Sequence, residues 1–353
     1  MSPLVVVLAL STAFRIGVVG RAFEAPGITN WRGSPTHRLI TTIWYPADPA
    51  AVETAHGIPP EGEALFNAGM AAPGAKVVAT PRRLPLILLS HGTGGSALQL
   101  GWLATRLAAH GYIVAAVNHP GNSAIEPYTA QGFREGWERP GDLSAVLDAM
   151  LADSVFGARI DTTRIGAAGF SLGGYTVLSI AGASTDTGSF FAFCRSPAHD
   201  FTCDAQPEFP EAGVQFVRLL ATDSTARASV AHANGRHADA RVRAVFAMAP
   251  VSRLFSAEGV AAIRVPVMIV VGAADPIVPA ATEARWAAGH LRGASLTVLP
   301  GQVTHYAFLD ECTAAGRVAA AHVCRDDPSV DRAAIHRRVA AQATGFFDRT
   351  LGR

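Results

Sequence analysis

The chain has 353 residues, of which 49% are hydrophobic and 16% charged, and its formal net charge is +1. Such a composition buries a large core and excludes a disordered chain. The near-neutral balance gives no electrostatic ground for nucleic acid or an anionic membrane as partner, so an uncharged or weakly charged small molecule is the default ligand.

In chain order, an apolar run from Leu4 to Leu10 leads into Ser11-Thr12-Ala13. It resembles the hydrophobic region and small-residue cleavage site of a secretory signal, without the basic start. It is too short to span a bilayer, which takes about 20 residues, so stable membrane insertion is not expected. Residues 1–13 therefore read as a leader remnant or as a first β-strand.

From there, short runs rich in Val, Ile and Leu predict strands over 39–45, 84–90, 112–118, 164–169, 242–249, 265–271 and 295–299. Helical stretches fall between or after them, over 97–110, 141–152, 172–183, 280–290 and 331–350. The alternation is that of an α/β fold, a mostly parallel sheet covered by helices. Residues 14–353 form one such domain on this reading. Two stretches break the rhythm. Residues 47–83 read as a surface excursion. Residues 183–241 lack strong periodicity and read as an insertion that caps the pocket, since insertions at that end of a sheet shape the substrate site.

The strongest motif is Gly169-Phe170-Ser171-Leu172-Gly173-Gly174, placed between a predicted strand and a predicted helix. This strand–turn–helix setting is what a nucleophile elbow needs, and it lifts the Ser171 hydroxyl off the sheet at a helix N-terminus. A serine hydroxyl needs a base to take its proton. The expected order is Ser, then acid after a late strand, then His in the final loop. Asp275 follows the strand at 265–271, and His305 follows the strand at 295–299. The bland readings are a turn aspartate before Pro276 and a surface histidine; the order of all three favours a triad.

A tetrahedral intermediate needs backbone donors for its oxyanion. Leu172, next to the nucleophile, supplies one on this reading. Thr93, in the loop Ser90-His91-Gly92-Thr93-Gly94-Gly95-Ser96, supplies the other. That loop lacks the Lys-Ser/Thr of a phosphate-binding P-loop. His91 is expected to pack beneath it. His119, Trp137 and Phe170 are the substrate-pocket candidates. His199, Asp200, His232, His237 and Asp239 lack helical metal-ligand spacing and read as a solvated insertion, so no metal is expected.

The four cysteines fall into two close pairs, Cys194 with Cys203 and Cys312 with Cys324. Neither has CxxC spacing, and two local disulfides are expected, which places the protein in the periplasm or outside the cell.

The segments 90–96, 117–122, 137–152, 164–175 and 310–331 resemble the bacterial predicted dienelactone hydrolases of the platelet-activating-factor acetylhydrolase-like group. The likeness includes the late cysteine pair. It implies an α/β-hydrolase fold, an esterase activity with Ser171, Asp275 and His305 as triad, and Thr93 and Leu172 as oxyanion donors. Two positions depart from the pattern. True dienelactone hydrolases have cysteine where this chain has Ser171, and the acetylhydrolases usually have histidine where it has Phe170. The resulting expectation is a carboxylic ester hydrolase acting through an acyl-enzyme on small or moderately sized neutral esters, with no metal or organic cofactor. The rivals are an amide or peptide hydrolase with the same triad, and a non-catalytic protein that uses the pocket as a receptor.

Overall fold

A computed structural model describes residues 13–59 and 62–352. The expectation of a leader remnant or first strand over 1–13 falls outside the described residues, apart from Ala13. The strands are β1 (Arg15–Phe23), β2 (Leu39–Ala47), β3 (Thr54–Ile58), β4 (Phe66–Pro73), β5 (Leu84–Ser90), β6 (Ile113–Val117) and β7 (Ile160–Phe170). They continue with β8 (Ser184–Thr185), β9 (Gly235–Arg236), β10 (Val242–Met248), β11 (Val267–Gly272), β12 (Ser295–Leu299) and β13 (Glu311–Cys312).

Six strands in the order β12-β11-β10-β7-β5-β6 are parallel, and β2 and β1 extend them antiparallel. Every residue of β5, β6 and β11 is buried. That is why these segments read as unbroken apolar runs: helices cover both faces of a parallel sheet. The chain leaves β5 for β6 on one side and returns to β7 on the other. The strand order thus reverses at β5, and a crevice opens beyond the carboxyl ends of β5 and β7, where ligands bind in such sheets.

The helices Gly101–Ala109, Arg139–Ala152, Leu172–Ile180, Ala284–His290 and Arg332–Leu351 pack on this sheet. The predicted helix from 97 opens instead as a 3-10 turn, Ala97–Leu100. The last helix is capped by Asp331, whose carboxylate accepts from the Ala334 amide at 3.0 Å. It buries His336, Val339, Ala340, Ala343, Phe346 and Phe347, a stripe at helical spacing. One hydrophobic core runs from Ile16 to Leu351.

Three expectations need correction. β1 was not foreseen, because its glycines and arginines blur the apolar alternation; pairing with β2 along its whole length holds it in place. Residues 47–83 are more than an excursion. They carry β3 and β4, which extend the sheet through β1, and the Ala- and Gly-rich sequence of β4 hides that role. The insertion at 183–241 is not irregular either. It folds into the helices Thr187–Cys194, Ala212–Leu220 and Ser224–Ala231, with β8 paired to β9. Asp186 and Asp223 cap the first and third of these at 3.0 and 2.9 Å. Packing adds Phe216 and Ala226 against Ala130. Local capping and docking, rather than a long apolar stripe, make these short helices. Cys194 is bonded to Cys203, and Cys312 to Cys324.

Candidate active site

Ser171 sits between β7 and the helix Leu172–Ile180 with φ 57° and ψ −119°. A non-glycine residue at positive φ is strained and persists only where its surroundings enforce it. Here they do. The Ser171 amide donates to the Met248 carbonyl at 2.9 Å, and the Val251 amide donates to the Ser171 carbonyl at 3.2 Å. The flanking glycines are sterically required. A Cβ on Gly169 would lie 2.2 Å from the Gly173 carbonyl oxygen, and one on Gly173 would lie 2.0 Å from the Ser90 oxygen.

Asp275 ends the turn after β11 and His305 opens the short turn His305–Phe308 after β12. His305 Nδ1 lies 2.8 Å from Asp275 Oδ2, with both side chains buried. The other carboxylate oxygen accepts from the amides of Ile277 and Val278 at 2.9 and 2.8 Å, which fixes the carboxylate plane. The His305 ring packs 4.6 Å from Phe170. Behind it, His336 Nε2 donates to the Ala307 carbonyl at 3.0 Å and Trp102 Nε1 to the Phe308 carbonyl at 2.8 Å. The Trp102 and His336 rings stack at 4.2 Å. Burial pushes His336 down to about 3, so it stays neutral and keeps its donor role at ordinary pH.

Two adjoining cavities of about 190 Å³ each flank Ser171. Thr93, Ser171, Phe201, Gln206 and Ile277 line both. Leu172 and Trp137 line the first, whereas His305 and Phe170 line the second. The structure therefore brings together Ser171, Asp275, His305, Thr93, Leu172, Trp137 and Phe170. His119 is the exception. It lines neither cavity and is fully buried beneath the Gly92–Gly95 loop. The end of β6 points it inward, where polar partners hold it.

Those partners form a buried cluster. His119 Nδ1 meets Asp142 Oδ2 at 2.7 Å, and its Nε2 meets Ser90 Oγ at 2.9 Å. His91 Nδ1 faces the Gly92 carbonyl at 2.7 Å, while its Nε2 accepts from the His119 amide at 3.1 Å. Burial, then the Arg139 charge, pushes both histidines well below their ordinary range, so both are neutral with the proton on Nδ1. Arg32 donates twice to Asp142, at 2.9 and 2.8 Å. Arg139 donates to the His91 carbonyl and is brought down to about 9 by burial, so it remains charged at neutral pH. Two guanidinium groups thus face one carboxylate. The loop itself is pinned by Gln99, which accepts from the Gly92 amide at 3.1 Å, and by Asn122, which accepts from the Gly94 amide at 3.0 Å.

Sequence reasoning missed Arg32, Arg139 and Asp142. A signal existed. Arg139 and Asp142 occupy the same helix face as Val146 and Met150, and all four are buried. Charged residues in the apolar phase of a helix are anomalous unless paired.

Also missed was Glu283, fully buried between the insertion and the sheet. Its carboxyl accepts from the amides of Ser252 and Arg253 and from Thr202 Oγ1. Burial, reinforced by Asp200, raises it to about 8. Because the folded value exceeds the unfolded one, the stability due to the protonated form is present below the unfolded carboxyl pKa and is lost as pH rises through 8. Glu283→Gln mimics the protonated group. The wild type should therefore lose up to about 1.4 kcal/mol per pH unit relative to the variant across this window. Denaturant melts of both proteins from pH 5 to 9 test this; parallel stability curves would refute the buried protonated carboxyl.

The disulfides reach the cavities. Cys194 and Cys203 line the first, and the loop closed by Cys312–Cys324 presents His322 and Val323 to the second.

The family model described as "Platelet-activating factor acetylhydrolase, isoform II" matches residues 65–140, which include the Gly92–Gly95 loop and stop short of Ser171. Lipase 1 of Moraxella sp. (strain TA144) is 35% identical over 80 residues, 23% of this chain and 22% of the relative. Cutinase est2 of Thermobifida alba is 32% identical over 102 residues, 28% of this chain and 31% of the relative. The chain thus spans less than a third of these curated relatives. The structure of a ferulic acid esterase from Streptomyces cinnamoneus superposes with a TM-score of 0.61 at 22% identity, covering 98% of this chain and 92% of the other. That likeness establishes a common fold.

Proposed function

We propose that this chain of α/β-hydrolase fold is a serine-dependent carboxylic ester hydrolase. The observation that carries the reading is the 2.8 Å contact between His305 and Asp275 beside a cavity that Ser171 also lines. The relatives named as cutinase, lipase and ferulic acid esterase support it.

In this reaction His305 Nε2 accepts the Ser171 proton as Oγ attacks the ester carbonyl. The carbonyl oxygen becomes an oxyanion, held by the amides of Thr93 and Leu172. The imidazolium, stabilised by Asp275, returns its proton to the departing alcohol oxygen, leaving an acyl-enzyme. Water then attacks the acyl carbon, gives its proton to His305, and the acid leaves as Ser171 regains its hydrogen.

Two cystines form and persist in oxidising surroundings, so we place the protein outside the cytoplasm. Among the described residues no helix is long and apolar enough to cross a membrane.

A fluorophosphonate probe should label Ser171 stoichiometrically, and p-nitrophenyl esters should be cleaved far faster than the matching anilides. A protein that binds esters but leaves Ser171 unlabelled is a receptor, and one that prefers anilides is an amidase. Either outcome overturns the proposal.

A further inference from the structure

The loop after β5 carries the Thr93 amide and runs against the nucleophile: a Cβ on Gly92 would lie 3.3 Å from the Ser171 Cβ. A short chain of bonds aims that amide. The His119 amide donates to His91 Nε2 at 3.1 Å, so the neutral imidazole carries its proton on Nδ1. Nδ1–H donates in turn to the Gly92 carbonyl at 2.7 Å. Gly92 and Thr93 share a trans peptide, whose C=O and N–H point in opposite directions. Holding the Gly92 carbonyl on His91 therefore turns the Thr93 N–H away from His91. That N–H has no acceptor among the described residues. A peptide whose carbonyl already accepts is also a stronger donor, because hydrogen-bonded groups polarise one another.

Arg139 is buried under the same loop. Its Nη2 donates to the His91 carbonyl and, at 3.3 Å, to Ser90 Oγ. Its Nε and Nη1 have no hydrogen-bond partner among the described residues. Asp142 is committed elsewhere, to Arg32 by two bonds and to His119 by one. To hold a carbonyl the loop needs only a donor, which a neutral side chain supplies without the cost of burying a charge. A guanidinium with two idle nitrogens is more than that task requires. We propose that Arg139 is a positioning residue of the oxyanion hole: it fixes the His91 main chain, and its charge strengthens the Thr93 amide as a donor to the developing negative oxygen. The proposal rests on the ester hydrolysis proposed above, in which that amide holds the oxyanion. Arg139 lines neither cavity, so it acts on the reaction and not on substrate binding.

The test compares hydrolysis of p-nitrophenyl butyrate with inhibition by a trifluoromethyl ketone of matching chain. Ser171 Oγ adds to the ketone carbon, the hydroxyl proton passes to His305, and the ketone oxygen becomes an oxyanion. The matching secondary alcohol has the same shape without that charge. Arg139→Gln keeps a donor and loses the charge, whereas Arg139→Lys keeps both. Direct loss of an oxyanion donor costs about 10²–10³ in kcat, so a group acting through one should cost less. The Arg139→Gln variant should therefore lower kcat about tenfold and weaken the ketone by the same factor. KM and inhibition by the alcohol should stay unchanged, and Arg139→Lys should recover most of the loss. Arg32→Gln is a second arm, independent of how the Arg139 variants fold. It leaves the bonds from Arg139 to the loop in place but frees Asp142 to offset its charge. Turnover and ketone affinity should again fall together, with KM unchanged.

The inference is overturned if folded Arg139→Gln and Arg139→Lys lose activity alike, or if KM rises while kcat holds. It is overturned as well if Arg32→Gln binds the ketone as tightly as the wild type does. Failure of the esterase reading is distinct: the wild type would then neither cleave the butyrate nor bind the ketone more tightly than the alcohol.

Discussion

Ser171→Ala is expected to abolish turnover without disturbing the fold. Alanine keeps the Cβ that the elbow already accommodates at φ 57°, so it adds no clash and relieves no strain. The backbone bonds to Met248 and Val251 use the Ser171 main chain and survive. What goes is the hydroxyl proposed to form the acyl-enzyme. By analogy with serine proteases, kcat should fall on the order of 10⁶-fold, down to the residue left by substrate binding and the oxyanion donors. Steady-state hydrolysis of a p-nitrophenyl ester, with thermal melts of both proteins, checks this. A correctly folded variant that retains even a hundredth of the wild-type rate would remove Ser171 from the mechanism.

Asp275→Asn is expected to be nearly as damaging for a different reason. One carboxylate oxygen of Asp275 accepts from the amides of Ile277 and Val278, and the asparagine oxygen can take over that task. Its amide nitrogen is then turned toward His305 Nδ1, where a donor meets a donor. The imidazole answers by moving its proton to Nε2, so the nitrogen that must accept from Ser171 is already protonated. In the best-studied triad this wrong tautomer costs about 10⁴ in kcat. The variant should melt close to the wild type, and its residual rate should keep climbing with pH. Wild-type kcat in a properly folded variant would show that Asp275 does not orient the base.

Much of this site was legible because its parts are local. Gly169 and Gly173 announce a turn that a Cβ would block, and the apolar runs of β5, β7, β11 and β12 locate the strand ends that carry the loop at Thr93, then Ser171, Asp275 and His305. Ser171, Asp275 and His305 each stand in the first loop after such a strand. The parts that were not legible depend on contacts distant in sequence. Arg32 reaches Asp142 across 110 positions, and Thr202 reaches Glu283 across 81. His119 was misplaced because its strand end gives a position along the sheet but not the direction in which the side chain turns. β1 and β4 were overlooked for a related reason. Their stability comes from the pairing partner and not from an apolar pattern of their own.

The surplus guanidinium beneath the Gly92–Gly95 loop has one more consequence. Arg139 is 1% exposed, and neither water nor mobile ions come between it and the His91 carbonyl it holds. Counterions shield surface charges beyond a Debye length of about 8 Å at physiological ionic strength, but they act far more weakly on a charge enclosed in protein. In the proposed reaction the oxyanion is held by the Thr93 amide of that same loop. Added salt should therefore weaken the field of Arg139 at the loop far less than it weakens that of a surface arginine.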